Sequence, residues 1–264
     1  MTFKFKVAAV ALAISAFGAA HAQKAPEPDY TLSYNVGVVS QYRFRGMEQT
    51  SGDPATQAGV DFAHKNGFYA GAFTSTVSWI KDYNGATSGN LEVDLFGGYK
   101  SEIAKDVVLD FGAIKYWYPG NNSGATGTPG AGSVTNADTF EAYLGLTYGI
   151  ASVKYSRSIG TFLGFLNSDG SQYLEIAANI DLGNGFGLVP HYGRQQVAGT
   201  NTSGDYNDYS VTLSKDLGSG LSVSLAAVGT TAKENGFYQT STSANGKNRF
   251  LGSNATVLGL KYSF

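Results

Sequence analysis

Two arginines, two positions apart, are the residues of this sequence best placed to act on a charged molecule. Arg43 and Arg45 alternate with Tyr42 and Phe44, so on an extended strand both guanidinium groups would point to one face. At a constriction, such a pair favours anions. Alternatively, the two arginines pair with neighbouring carboxylates and hold a loop in place, and the sequence leaves both roles open.

Carboxylates recur on the polar face of further alternating segments. Where the apolar positions of a strand face lipid, the positions between them face the interior of a barrel. The candidate lining residues are then Arg43, Arg45, Gln57, Asp61, Glu92, Asp94, Asp110, Glu141, Lys154, Glu175, Asp181, His191, Asp208 and Lys261. Carboxylates favour cations and arginines favour anions, so the choice of solute stays open. For any single carboxylate, the favoured interpretation is an ordinary solvated or ion-paired residue of the lumen.

Patterns typical of enzymes are weak. The chain has no cysteine, which excludes disulfides and thiolate-bound zinc. His64 falls in a predicted turn and His191 on a predicted inward face, which does not indicate a serine-histidine site facing lipid. The glycines do not form a phosphate-binding loop. We predict no catalytic residue, no metal and no cofactor, with a barrel hydrolase as the least favoured alternative.

The elements that must position these residues are β-strands. In residues 173–182, Leu174, Ile176 and Ile180 share one face, and Glu175 and Asp181 share the other. Such a segment has about the 9 to 11 residues that a tilted strand needs to cross a bilayer. We predict twelve strands, at residues 30–44, 55–64, 67–79, 90–100, 107–118, 139–149, 150–159, 171–182, 186–196, 206–215, 220–230 and 252–264.

The connections between these strands alternate in length. Short turns are predicted around residues 65–67, 101–106, 149, 183–185 and 216–220, and longer loops between them, including residues 119–138 and 231–251. Short periplasmic turns and long, solvent-exposed outer loops are typical of outer-membrane barrels. A soluble β-sandwich would not predict this alternation. We therefore predict an all-β, transmembrane, antiparallel up-and-down barrel of about twelve strands.

The start of the chain predicts export. Residues 1–22 carry Lys4 and Lys6, an apolar run and the small-residue site Ala20-His21-Ala22, as in a cleavable signal peptide. Residues 23–264 would then form the barrel domain in the outer membrane of a Gram-negative bacterium. With a formal net charge of −2 before cleavage, the chain has no basic field for nucleic acid.

Aromatic residues and one proline allow two further predictions. Tyr116, Trp117, Tyr118 and Trp79 fall near the outer ends of predicted strands, so we assign them to an aromatic girdle at the membrane surface. Pro190 lies inside an otherwise regular strand, which predicts a bulge or a local break in pairing.

Residues 40–75, SQYRFRGMEQTSGDPATQAGVDFAHKNGFYAGAFTS, resemble the start of the TorF family of porins. The segments EVDLFGGY, YWYPG and FEAY follow in the order of that family. The resemblance implies an outer-membrane barrel with porin activity and does not indicate the solute. The last strand, which alternates up to Phe264, is similar to the terminal strands that the barrel-assembly machinery recognises.

These observations favour a narrow channel for ions or small polar solutes. About 8 strands are filled by side chains and 16 to 18 leave an aqueous channel, so twelve lies between. Outer-membrane lipid, the assembly machinery and small solutes are the predicted partners. The alternative is an adhesin or receptor barrel whose lumen is filled and whose outer loops bind a partner.

Overall fold

The computed structural model describes residues 28–199, 202–234, 236–239 and 249–264. The predicted signal peptide lies outside these residues. Twelve antiparallel strands form a single wall: β1 Tyr30–Val39, β2 Ala55–His64, β3 Phe68–Thr76, β4 Leu91–Ala104, β5 Val107–Trp117, β6 Thr139–Tyr148, β7 Ala151–Ser158, β8 Gln172–Ala178 with Ile180–Gly183, β9 Phe186–Gln196, β10 Tyr206–Gly218, β11 Leu221–Thr230 and β12 Ala255–Ser263. In the part of the chain that the structure describes, no helix is long and apolar enough to span a membrane.

The wall closes on itself. Each strand pairs with its neighbour in sequence, and β1 pairs with β12 from Asn35 opposite Ser263 to Val39 opposite Gly259. The main chain of Tyr34 exchanges two hydrogen bonds with that of Phe264, at 2.9 and 3.0 Å. Closure pairs the facing edges of the two terminal strands along this seam, and a bilayer requires such pairing of strand edges. The predicted twelve-strand barrel is confirmed.

Pro190 coincides with the break that divides β8 into two segments. Ala177 pairs with His191 and Ile180 with Leu188, while β8 is broken at Asn179 between them. Because proline has no N–H group to donate, regular pairing stops there. The Asn179 N–H bonds instead to the carbonyl of Ile150, at 2.8 Å.

The outer surface of the wall is apolar. Leu32, Val36, Leu174 and Ile176 are each exposed there, an arrangement that suits the hydrocarbon of a bilayer and not water. Aromatic pairs lie near the short-turn end, including Tyr30 with Phe62 at 5.7 Å and Phe68 with Tyr99 at 5.0 Å.

The girdle predicted at the loop end is largely wrong. Trp79, Tyr116 and Tyr118 are only 3%, 7% and 2% exposed, and of the four residues only Trp117 is outward and exposed. Trp79 begins a short helix, Trp79–Asp82, and its ring meets that of Tyr118 edge-on at 5.4 Å. Aromatic rings here cover one another inside the mouth and do not contact lipid.

The first strand ends earlier than predicted. β1 stops at Val39, and residues 40–54, which we call the first loop, turn into the barrel. A tight hairpin pairs Arg43–Phe44 with Met47–Glu48, and its turn places Arg45 and Gly46 at φ values of 47° and 78°. The alternation predicts that Tyr42 and Phe44 face lipid. This prediction is wrong, because both residues belong to the first loop, which turns into the barrel. The Phe44 ring lies inside, 5.2 Å from that of Tyr116.

The long loops fold over the mouth and pack against the first loop. Two buried clusters form there, one of Met47, Phe162, Phe165, Val197, Tyr206, Tyr238 and Leu251, the other of Val77, Trp79, Ile80, Ala86, Tyr116, Tyr118 and Ala137. The prediction of solvent-exposed loops holds only in part: Thr126, Gly132 and Lys233 are exposed, whereas Ala137, Tyr238 and Leu251 are buried in the clusters.

Candidate solute pathway

A cavity of about 780 Å³ lies inside the barrel beneath the first loop, and every strand of the wall contributes to its lining. A second space of about 470 Å³ shares Val39, Gln57, Phe73 and Phe96 with it. Asp61 and Lys261, both predicted to face inward, line this second space. The two spaces are therefore neighbours inside the barrel.

Arg45 fastens the tip of the first loop to the far wall. Its guanidinium group donates to both carboxylate oxygens of Glu141 on β6, at 2.6 and 3.0 Å, and to the side-chain oxygen of Gln195 at 3.0 Å. It also lies 4.2 Å from the centre of the Tyr173 ring. Both charged side chains are nearly inaccessible, at 8% and 2% exposure. This is a two-pronged ion pair that spans the lumen.

Arg43 and Glu48 anchor the rest of the first loop. Arg43 donates to the carbonyl oxygens of Gly46, Leu251 and Ser253, at 2.9 to 3.1 Å. The buried Glu48 carboxylate accepts from Arg249 at 3.1 Å. Of the two roles that the sequence left open for Arg43 and Arg45, this geometry fits the holding of a loop.

Glu92 and Asp94 are buried beside the first loop, outside the lining of the cavity. The Tyr42 hydroxyl donates to Glu92 at 2.6 Å. Burial raises the pKa of the Tyr42 hydroxyl well above its ordinary value, and the Glu92 and Asp94 carboxylates raise it further. Tyr42 therefore keeps its proton and remains a donor to Glu92.

A chain of polar contacts runs along the cavity over β7 to β10. Lys154 pairs with Glu175 at 2.7 Å, and Glu175 contacts His191 at 3.2 Å. His191 lies 3.5 Å from Asp208, whose carboxylate accepts from the Tyr173 hydroxyl at 3.0 Å. Four predicted residues, on four successive strands, meet in this chain.

A second chain runs over β3 to β6. The Tyr69 hydroxyl donates to Asp110 at 2.6 Å and lies 2.5 Å from the Tyr143 hydroxyl. Lys100 approaches Asp110 to 3.6 Å. Sequence reasoning missed Tyr69, Tyr143, Tyr173 and Lys100 as lining residues. For Tyr143, Tyr173 and Lys100 the detectable signal was their inward parity on strands that already carried predicted carboxylates, whereas β3, which holds Tyr69, carries none.

Glycines let these tyrosines lie flat against the wall. A Cβ atom on Gly98 would come 2.5 Å from the Tyr69 hydroxyl, and one on Gly112 would come 2.5 Å from the Tyr143 hydroxyl. Each tyrosine pairs directly with its glycine on the neighbouring strand. The tyrosine ring occupies the space that a side chain at the glycine position would fill.

The remaining predicted residues lie at the margins. Gln57 donates to Ser75 at 3.3 Å and lines both spaces. Asp181 accepts from the N–H of Gly183 at 2.8 Å in the last segment of β8 and is exposed. Among the described residues, no group of three or more His, Cys, Asp or Glu side chains could hold a metal ion.

Comparison with known proteins connects the chain to a family and to a fold. Residues 23–264 match the family described as "Bacterial protein of unknown function (Gcw_chp)". The solved KdgM porin has a TM-score of 0.52 and 10% identity, over 88% of this chain and 99% of that one. KdgM porin in complex with disordered oligogalacturonate has a TM-score of 0.52 and 8% identity, over 88% and 98%. The structural similarity shows a shared fold. No curated protein matches the chain.

Proposed function

Because the chain belongs to the Gcw_chp family, whose function is unknown, we propose a function from the barrel itself: passive diffusion of ions or small polar solutes across a bacterial outer membrane. The observation that carries this proposal is the polar cavity, which all twelve strands line beneath the inserted first loop. A barrel that served only as an anchor would not need an interior with this many charged groups.

The first loop sets the width of the proposed pathway. A twelve-strand barrel is wide enough to leave space that side chains do not fill. The first loop crosses this space at the loop end, where Arg45 reaches Glu141. We place the narrowest point between this loop and the wall, with the loop end facing outward and the short turns facing the periplasm.

Two comparisons support the proposal. KdgM, which has the same barrel fold, is named a porin, and one of its structures contains oligogalacturonate. The resemblance of residues 40–75 to the TorF family of porins points to the same activity and stays a prediction. Neither comparison identifies the solute of this chain.

Recording from planar bilayers tests the channel. Refolded protein is added to one side of a bilayer in potassium chloride, and stepwise increases in current are expected. Protein whose folding is verified by heat-dependent migration on a denaturing gel, but that gives no conductance at any voltage, would exclude the channel.

An outer receptor or adhesin is the second candidate. The observation that favours it is the packing of the long loops into two buried clusters, which gives the mouth a fixed surface. In this role the lumen could be filled, because binding at the outer loops does not require an open channel. Binding of whole cells or extracellular matrix by the folded protein, together with absent conductance, would favour this role over the channel.

Export and assembly belong to the same proposal. Residues 1–22 act as a cleavable signal peptide, and β12 engages the barrel-assembly machinery through its terminal Phe264. The proposal assigns no catalytic role to His191, which contacts Glu175, Asp208 and Tyr173. N-terminal sequencing of protein from outer-membrane fractions tests the first point, with Gln23 as the expected first residue.

A further inference from the structure

The acidic and basic side chains along the lumen differ in their exposure. The side chains of Glu141 and Asp208 are 2% and 3% exposed, and those of Asp110 and Glu175 are 22% and 24% exposed. By contrast, Lys100 is 56% exposed, and Lys154 is 44% exposed. Counting inward charges by sequence parity predicts an acidic wall, whereas in these two ion pairs the ammonium groups are more accessible than the carboxylates.

The two lysines flank one pair of tyrosines. Lys100 Nζ lies 4.7 Å from the centre of the Tyr69 ring, and Lys154 Nζ lies 5.7 Å from the centre of the Tyr143 ring. The hydroxyl groups of these tyrosines are 2.5 Å apart. The ammonium groups therefore stand over the two ends of a joined aromatic surface, and both line the same cavity.

The donors left for a ligand are on the lysines. Tyr69 already donates to Asp110, and the Tyr143 hydroxyl bonds to that of Tyr69. Each ammonium group carries three N–H donors, of which its carboxylate partner uses a part. An ion pair that is this exposed is weak and can exchange its partner with little loss. An incoming anion can therefore replace the carboxylate partner of each lysine.

Part of the remaining lining is apolar. On the other side of the cavity, Ala226, Val228 and Val257 offer contact to carbon, and the adjacent strand β10 contributes Asp208, Ser210 and Thr212. We propose that Lys100 and Lys154 form a binding site for a small organic anion with two carboxylate groups on a short apolar backbone. The proposal rests on the channel function and specifies which class of solute the lumen would favour.

Calorimetric titration of the full barrel in detergent micelles tests the site. Sodium succinate is the probe, and succinamide, which has the same backbone without charge, is its neutral match. We expect succinate to bind, succinamide not to bind, and the double variant Lys100→Gln/Lys154→Gln to bind succinate at least tenfold more weakly. Lys115→Gln is the matched control, because Lys115 pairs with Asp138 and lies on the outer surface of β5 opposite Phe140.

Each outcome bears on the proposal. Absence of succinate binding by the wild type, equal binding of succinamide, or unchanged binding by the double variant would overturn the site. Heat-dependent migration verifies that each variant is folded, and Lys100→Arg/Lys154→Arg should retain binding if charge is what matters.

The measurement needs no membrane and therefore separates the two proposals. Protein that conducts potassium chloride without binding succinate retains the channel and loses the site. Protein that binds succinate without conducting loses the channel.

Discussion

One guanidinium group, that of Arg45, joins the first loop to the opposite side of the barrel. It and Glu141 are both buried, so each charge depends on the other for the interactions that water would supply. Two hydrogen bonds between them and a third to Gln195 meet this need. Such a pair does more to fix the position of a loop than to raise the stability of the barrel, because desolvation offsets much of the attraction.

Removing one member of the pair should be far more damaging than removing both. Arg45→Met leaves the Glu141 carboxylate buried without its partner, so we expect the free energy of unfolding to fall by about 3 to 5 kcal/mol. Arg45→Met/Glu141→Leu should recover most of that loss. Urea titration in detergent, followed by tryptophan fluorescence, measures both. A single variant as stable as the wild type would contradict this account of the pair.

Gly98 allows Tyr69 to lie against the wall. Because a Cβ atom there would come 2.5 Å from both the Tyr69 hydroxyl and the Phe111 carbonyl oxygen, Gly98→Ala should lower the free energy of unfolding by about 1 to 3 kcal/mol. Gly97→Ala is the control, since its Cβ would approach no atom closer than 3.3 Å. Equal urea midpoints for the two variants would show that the ring is not confined.

Among the elements, the first loop departs most from what its sequence predicts. Tyr42 to Arg45 continue the alternation of β1, and a period of two alone cannot detect that the chain has left the wall. The departure comes from a hairpin turn with two successive residues at positive φ, Arg45 and Gly46. The strands themselves were predictable because each must present an apolar face to lipid along its whole length.

The seat of the first loop at Gly46 can be tested directly. A Cβ atom at Gly46 would come 2.7 Å from side-chain atoms of Asp208 and Thr230, whereas at Gly120, which also has a positive φ, nothing lies within 4 Å. Gly46→Ala should therefore displace the loop and raise single-channel conductance, while Gly120→Ala should leave conductance unchanged. If both variants conduct like the wild type, the loop does not limit the current.

For the whole molecule, the seam between β1 and β12 closes the barrel. Sequence predicted this closure from the alternation up to Phe264, and the structure adds the aromatic contacts of that residue with Tyr34 and Tyr262, both at 5.7 Å. From the sequence alone, the depth at which each inward charge is buried could not be predicted. Parity gives the direction of a side chain, whereas accessibility depends on tertiary neighbours such as the first loop.

Shortening the chain by one residue tests the seam. Deletion of Phe264 removes the ring and both main-chain hydrogen bonds to Tyr34, whereas Phe264→Ala removes the ring alone. Each of these bonds contributes about 0.5 to 1.5 kcal/mol. We therefore expect the free energy of unfolding of the deletion variant to be about 1 to 3 kcal/mol lower than that of the alanine variant. Urea titration of both proteins gives the difference, and identical midpoints would mean that these two bonds contribute nothing.

The tyrosines that lie over glycines have a consequence for the calibre of the barrel. Strand number fixes the diameter of the backbone cylinder, but the open bore also depends on how far the inward side chains rise from it. A ring held flat by a glycine on the next strand occupies little of the radius. The width of the open channel can therefore change through substitution of a single glycine, without the gain or loss of a strand.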